Sequence, residues 1–105
     1  MKNLTDILPK ITQWQAIPYA NDLMCQECGT SGFGESGAPK PNLVGWAETN
    51  YGFQAVFECP YCGSKFRFHG GDPCDDLETF DLKLGILLAK RCENWSELLK
   101  KIKEE

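Results

Sequence analysis

The N-terminal segment has the hydrophobic pattern of a helix. Apolar residues recur three or four positions apart: Leu4, Ile7, Leu8, Ile11 and Trp14. Thr5 or Asp6 is the expected N-cap, and Pro9 is compatible with the helix if it falls within the first turn. The helix should end by Ile17, because the residue before Pro18 avoids the α region.

A second pattern, alternation of apolar and polar residues, predicts β-strands in the middle of the chain. Leu43–Thr49 and Phe53–Glu58 are strand-like runs, and Asn50–Gly52 joins them as a hairpin. The third run, Lys65–His69, places two phenylalanines on one face and polar residues on the other: Phe66 and Phe68 against Lys65, Arg67 and His69. We therefore expect a small three-stranded antiparallel sheet.

The C-terminal segment returns to helical spacing. One apolar stripe, widened by Ile86, runs along it: Leu77, Phe80, Leu84, Leu87 and Leu88. Asn94–Glu97 has the pattern of a capping box that opens a second short helix. One continuous helix and a helix pair both fit the periodicity. Together with the predicted sheet, these segments indicate an α+β protein.

Length and cysteine usage narrow the class of protein. At 105 residues the chain is expected to form one domain, 1–105. It divides into an N-terminal helix and connector (1–22), a cysteine-containing centre (23–69) and a C-terminal helical segment (75–105). We find no apolar stretch typical of a secretory signal and none approaching the roughly 20 residues of a membrane span. We therefore predict a cytoplasmic protein whose six cysteines are reduced, with a disulfide framework as the alternative.

The strongest chemical signal is a pair of Cys-x-x-Cys-Gly motifs, Cys25–Gly29 and Cys59–Gly63. Four thiolates form a closed tetrahedral site for Zn²⁺ or, less often, for a single iron. The glycine after each second cysteine accepts the positive φ of a turn that directs backbone N–H groups toward the thiolates. The predicted ligands of one ion per chain are Cys25, Cys28, Cys59 and Cys62.

Over residues 23–69, these motifs resemble those of the zinc-ribbon and rubredoxin-like families. The hairpin between them is shared with zinc ribbons and departs from rubredoxins, whose intervening segment is mostly loop. The second motif is similar to that of rubredoxins in its Cys-Pro-x-Cys-Gly core and in the aromatic residue that follows, Phe66. The first motif departs from rubredoxins, which usually carry an aromatic residue where this chain has Thr30 and Ser31. The resemblance implies a zinc-ribbon fold with a metal site of four cysteines, and it implies no particular role, because zinc ribbons have no common function.

Other residues have competing interpretations. Cys59–Cys62 also matches the redox dithiol of glutaredoxins, but a strand rather than a helix is predicted after it. His69, Cys74 and Cys92 are too few to complete a second tetrahedral site. Phe33, in a glycine-rich loop, is either an anchor for a partner or a residue of the core. Carboxylates around the start of the C-terminal helix are interpreted as capping groups: Asp72, Asp75, Asp76, Glu78 and Asp81.

Charge and chemistry order the candidate functions. With one histidine and no partnered nucleophile, we predict that the protein is not an enzyme. A protein-interaction module, adaptor or small regulator or inhibitor, with a structural zinc, a protein partner and no membrane, is the first hypothesis. A rubredoxin-like one-electron carrier with iron is the alternative. Nucleic-acid binding is the second alternative, disfavoured by the net charge of −4, and its expected aromatic and basic face is Trp46, Tyr51, Lys65 and Arg67.

Overall fold

Short helical turns come first, then four strands and then two helices along the residues that the computed structural model describes, which are 3–20, 23–33, 38–68 and 74–104 without the side chains of Trp14 and Lys90. In chain order the elements are helix α1 (Leu4–Ile7), a 3₁₀ turn (Trp14–Ala16), strands β1 (Tyr19–Ala20), β2 (Asn42–Thr49), β3 (Gly52–Glu58) and β4 (Lys65–Phe68), and helices α2 (Leu77–Arg91) and α3 (Trp95–Lys103). The predicted α+β class is confirmed. His69 and Asp72 lie outside the described residues.

The sheet has four strands in the order β1-β4-β3-β2. β3 is antiparallel to both of its neighbours, as expected, whereas β1 joins β4 in parallel, with Tyr19 opposite Arg67. The sheet is therefore mixed, not purely antiparallel and three-stranded. The extra strand forms because Pro18 keeps the connector extended beside β4. The carbonyl of Pro18 accepts a hydrogen bond from Arg67 N at 3.1 Å.

The predicted N-terminal helix is much shorter than its apolar pattern suggested. Its N-cap is Asn3 instead of Thr5 or Asp6, and α1 stops where Leu8 takes the extended angles φ −98° and ψ 140°. Leu8 is extended because it precedes Pro9, which lies beyond the first turn.

After α1, the chain pairs with the outer edge of β2. Pro9 O accepts a hydrogen bond from Trp46 N at 3.1 Å, and Ile11 N donates to Trp46 O at 2.7 Å. The two chain segments approach so closely that a Cβ atom at Gly45 would lie 2.6 Å from Pro9 O. From this edge the chain crosses to β1 at the opposite edge of the sheet. It crosses the sheet face that lies away from the helices, where Ile11 covers Gly45 and Val56 is fully buried.

The C-terminal segment forms two helices and not one. α2 begins at the N-cap Asp76, whose carboxylate accepts a hydrogen bond from Thr79 N at 2.7 Å. Hydrogen bonds from the backbone and the side chain of Thr79 lower the pKa of Asp76. Asp75 pairs with Lys83, and Asp81 accepts from Thr5 N at 2.9 Å. Asp76 therefore caps α2 as expected, whereas Asp75 forms an ion pair within this segment and Asp81 joins α2 to α1.

Asn94 does not act as the expected capping box. It stands directly before α3, but its side chain makes no capping hydrogen bond. Its Oδ1 accepts from Leu43 N and its Nδ2 donates to Leu43 O, both at 3.1 Å, and Cys92 Sγ donates to Oδ1 at 2.6 Å. The amide thus replaces a neighbouring strand at the first residues of β2 and fixes the turn between α2 and α3 to the sheet.

A single hydrophobic core lies between the helices and one face of the sheet. Cys25 and Cys59 belong to this core. Its buried aromatic residues are Phe33, Trp46, Phe57, Phe66 and Phe80. Phe33 is fully buried and stacks on Phe66 with 5.6 Å between ring centroids. Of the two interpretations of Phe33, the structure supports the second, in which Phe33 is a residue of the core.

The role of the Asn94 amide as the hydrogen-bond partner of Leu43 can be tested by Asn94→Ala. This change leaves the backbone N–H and C=O of Leu43 without their partner, which should lower the free energy of unfolding by about 1–3 kcal/mol. Urea denaturation at a fixed concentration of Zn²⁺ measures the loss. Ser96→Ala, at an exposed position of the same helix, is the control and should stay within about 0.5 kcal/mol of the parent. Equal stability of the two variants would contradict this role.

The placement of Phe33 predicts a larger effect. Phe33→Ala removes a fully buried ring and should destabilise the fold by about 3–5 kcal/mol, whereas Phe33→Leu should lose less because it fills more of the space. Thermal and urea unfolding monitored by circular dichroism report both changes. The matched control is Tyr51→Ala, because Tyr51 is 71% exposed. If Phe33→Ala unfolds like the control, Phe33 is not part of the core.

Candidate metal centre

The two cysteine motifs form turns of the same geometry. In the first, Cys25 N donates to Thr30 O and Gly29 N donates to Cys25 O, both at 2.8 Å. In the second, Cys59 N donates to Ser64 O at 2.9 Å, and Gly63 N donates to Cys59 O at 3.0 Å. We call these two turns the knuckles, residues 25–30 and 59–64.

The glycine in each knuckle is required by the backbone. Gly29 has φ +75° and Gly63 has φ +72°, a region that is strained for residues with a Cβ atom. A Cβ atom would meet nothing within 4 Å at either position. The requirement for glycine at these two positions is therefore conformational, as the sequence predicted, and does not arise from crowding.

The knuckles bring the four predicted ligands together. The Sγ atoms of Cys25, Cys28, Cys59 and Cys62 all lie within 4.8 Å of one another. Across the two knuckles, the sulfurs of Cys25 and Cys62 are 3.5 Å apart and those of Cys28 and Cys59 are 3.7 Å apart. Four sulfurs held about 2.3 Å from a tetrahedral ion lie about 3.8 Å from each other. The cluster can therefore hold a metal ion with little rearrangement.

The four sulfurs have two different environments. Cys25 and Cys59 are buried in the core, whereas Cys28 and Cys62 are exposed. Burial raises the pKa of Cys25 to about 12. Hydrogen bonds from the hydroxyl and backbone of Thr30 lower the pKa of Cys28 to about 6, and the corresponding groups of Ser64 lower the pKa of Cys62. Each knuckle therefore contributes one buried and one solvent-facing sulfur.

Thr30 and Ser64 are site residues that the sequence analysis did not identify. Thr30 Oγ1 lies 3.3 Å from Cys28 Sγ, and Ser64 stands at the equivalent place in the second knuckle, where it lowers the pKa of Cys62. The signal was available, because a hydroxyl residue stands two positions after the second cysteine of both motifs. We had interpreted Thr30 only as a departure from the rubredoxin pattern.

The remaining cysteines lie elsewhere. Cys92 is buried, its thiol donates to Asn94, and desolvation raises its pKa. Cys74 is exposed near the start of α2. Neither belongs to a group of metal-ligating residues within the part of the chain that the structure describes. The idea of a second site therefore gains no support from Cys74 and Cys92, and His69 is outside the described residues.

Two other sequence interpretations can be compared with the geometry. After Cys59–Cys62 the chain continues into strand β4, so the helix that lowers the pKa of a glutaredoxin-type thiol is not present at this position. The expected aromatic and basic face is divided between the two sides of the sheet. Trp46 is buried against Phe53 on the helix side, whereas Arg67 lies over Tyr19 on the other side.

Comparison of the chain with protein-family models, curated proteins and solved structures finds no match. Among the described residues, no helix has the length and hydropathy needed to cross a membrane. The interpretation of the site accordingly depends on its own residues, and above all on the four sulfurs.

The ligand assignment predicts a sharp difference among the six cysteines. Wild-type protein should bind one Co²⁺ per chain with the thiolate-to-metal absorption of a tetrahedral sulfur site, and Cys25→Ser or Cys62→Ser should abolish that spectrum. These variants should also unfold, because a structural metal contributes on the order of 10 kcal/mol of apparent folding energy.

Cys74→Ser and Cys92→Ser are the matched controls for this experiment. Both should retain one ion per chain, since neither sulfur lies in the cluster. Metal content by mass spectrometry and the Co²⁺ spectrum check the result. Loss of the metal in Cys74→Ser would show that the ligand assignment is wrong.

Proposed function

We propose that the protein is a small zinc ribbon in which a structural Zn²⁺ on Cys25, Cys28, Cys59 and Cys62 supports a protein-interaction module, such as an adaptor or small regulator or inhibitor in the cytoplasm. The single observation that carries the proposal is the sulfur cluster between two knuckles of equal geometry. Four protein ligands leave no open coordination position for a substrate, which is typical of structural and not of catalytic zinc sites. We therefore assign the protein no catalytic activity.

The position of the cluster supports a structural role for the ion. Cys25 and Cys59 belong to the hydrophobic core, and the ion would join two segments that are distant in sequence. One knuckle follows β1, and the other connects β3 to β4. A domain of about 100 residues has a modest hydrophobic core, and a metal ion that links its parts adds to the stability that this core provides.

The interaction part of the proposal is supported by the outer face of α2. Leu82 and Ile86 lie one turn apart on this helix, and their side chains are 68% and 57% exposed. Helices that bind in apolar grooves of partner proteins use aliphatic anchors spaced one turn apart in this way. We assign this pair, Leu82 and Ile86, as the contact with an apolar groove on another protein.

The iron alternative has one observation in its favour. Cys28 and Cys62 are exposed, so an electron-transfer partner would have access to two sulfurs of an iron centre. Zinc and iron both suit a tetrahedral site of four thiolates. The metal therefore decides between the two functions, and it can be determined directly.

Purification without added metal tests the structural-zinc proposal. The protein should be colourless and contain about one zinc per chain. A red protein that contains iron and shows a reversible one-electron couple would replace the interaction module by an electron carrier. Binding to DNA or RNA at low salt, with a steep loss of affinity as salt increases, would instead support the nucleic-acid alternative.

The contact on α2 needs a separate experiment. A photo-crosslinking residue at position 82 should capture one protein, and the purified pair should form a stoichiometric complex that Leu82→Ser with Ile86→Ser weakens about tenfold or more. A crosslinker at Ser96, also exposed, is the control. Unchanged zinc content in the double variant separates loss of binding from loss of the fold. If the double variant binds like wild type, the pair is not the contact.

A further inference from the structure

One exposed cysteine of the cluster, Cys28, has a hydroxyl group beside its sulfur, and the second knuckle carries a hydroxyl residue at the equivalent position. Thr30 Oγ1 lies 3.3 Å from Cys28 Sγ. Ser64 holds the equivalent place in the second knuckle, because its carbonyl accepts from Cys59 N as the carbonyl of Thr30 accepts from Cys25 N. In both knuckles the hydroxyl belongs to the second residue after the exposed cysteine.

The direction of this hydrogen bond follows from the chemistry of a metal site. A thiolate bound to a metal carries no proton, so it can only accept. The hydroxyls must therefore donate to the sulfurs, and hydrogen bonds to a charged acceptor are stronger than those between neutral groups. Thr30 and Ser64 are half-buried, and the bond between Thr30 and Cys28 lies at the exposed surface of the site.

Both hydroxyl residues belong to the exposed side of the site. Cys25 and Cys59 are 0% and 2% exposed, and the core shields their sulfurs from reagents in solution. Cys28 and Cys62 have no such cover. A donated hydrogen bond withdraws negative charge from a thiolate and occupies one of its lone pairs, so it lowers the rate at which that sulfur attacks an electrophile.

We propose that Thr30 and Ser64 are positioning residues for the metal site, each of which holds and protects one exposed thiolate, Thr30 that of Cys28 and Ser64 that of Cys62. This inference rests on the proposed metal binding and adds to it a chemical role for two side chains that are not ligands. Partners of metal ligands fix ligand orientation and tune the ion, and their loss typically weakens metal binding by about 10–100-fold.

Thr30→Val tests the proposal, because valine keeps the shape of threonine and removes only the hydroxyl. In Zn²⁺-loaded protein, competition with a chelator should show about tenfold weaker binding in Thr30→Val and in Ser64→Ala. Thr30→Ser restores the hydroxyl and should recover most of the affinity. Ser31→Ala, at the exposed neighbouring position, is the control and should bind zinc like wild type.

A second measurement distinguishes a hydrogen bond to sulfur from general destabilisation. Iodoacetamide alkylates a thiolate by forming one S–C bond and releasing iodide, and mass spectrometry locates the modified cysteine. Alkylation should become several-fold faster at Cys28 in Thr30→Val and at Cys62 in Ser64→Ala, while the other knuckle keeps its wild-type rate. Uniform acceleration at all four cysteines would overturn the proposal, because it would indicate loosening of the fold.

The two proposals fail in different ways. If wild-type protein binds no metal, the proposed function is wrong and this inference is wrong with it. If wild-type protein binds zinc and Thr30→Val matches it in affinity and in the alkylation rate of Cys28, only the inference is overturned. The thiolate-to-metal absorption of Co²⁺-loaded protein gives a further check, since loss of a donor to sulfur should shift that band to lower energy.

Discussion

The junction of the two knuckles is the constraint on which the rest of the structure depends. It ties the segment after β1 to the turn between β3 and β4, and these segments are separated by a glycine- and proline-rich loop and the hairpin. The backbone hydrogen bonds of each knuckle are local and do not connect one knuckle to the other. Four sulfurs and the packing of Phe33 on Phe66 make that connection. In this small domain, the sulfur cluster and the aromatic stack together connect two parts of the chain that a modest core would otherwise have to hold together.

Local patterns were sufficient for each knuckle and for part of the fold. The turn of each knuckle, its glycine with positive φ and the β2–β3 hairpin all depend on residues close in sequence, where spacing dictates geometry. The start of α2 was anticipated for the same reason, since Asp76 caps the nearest backbone N–H groups. The metal ion itself does not follow from spacing, because zinc and iron accept the same four thiolates.

Features that depend on distant partners were not predictable from periodicity. The apolar residues after α1 have helical spacing, yet Pro9 ends the helix and the following backbone pairs with Trp46, far away in the sequence. Asn94 had a local capping pattern, but the backbone of Leu43 competes for the same amide and wins. Trp46 and Arg67 were expected on one face of the sheet. In the intervening strand β3, Trp46 pairs with Ala55 and Arg67 pairs with Val56. Because adjacent residues of a strand face opposite sides of the sheet, Trp46 and Arg67 are separated.

The closed outer edge of β2 restricts how this protein can meet another. Along that edge, Leu43 is bonded to the amide of Asn94 and Trp46 to the chain at Pro9 and Ile11, while Lys10 pairs with Glu48 beyond them. An incoming peptide strand would have to displace these groups before it could form a ladder with β2. Recognition by strand addition at this edge is thereby suppressed, as is the sheet-to-sheet growth that leads to aggregates. An association of this protein through β2 would therefore have to use the side chains of that strand and not its backbone.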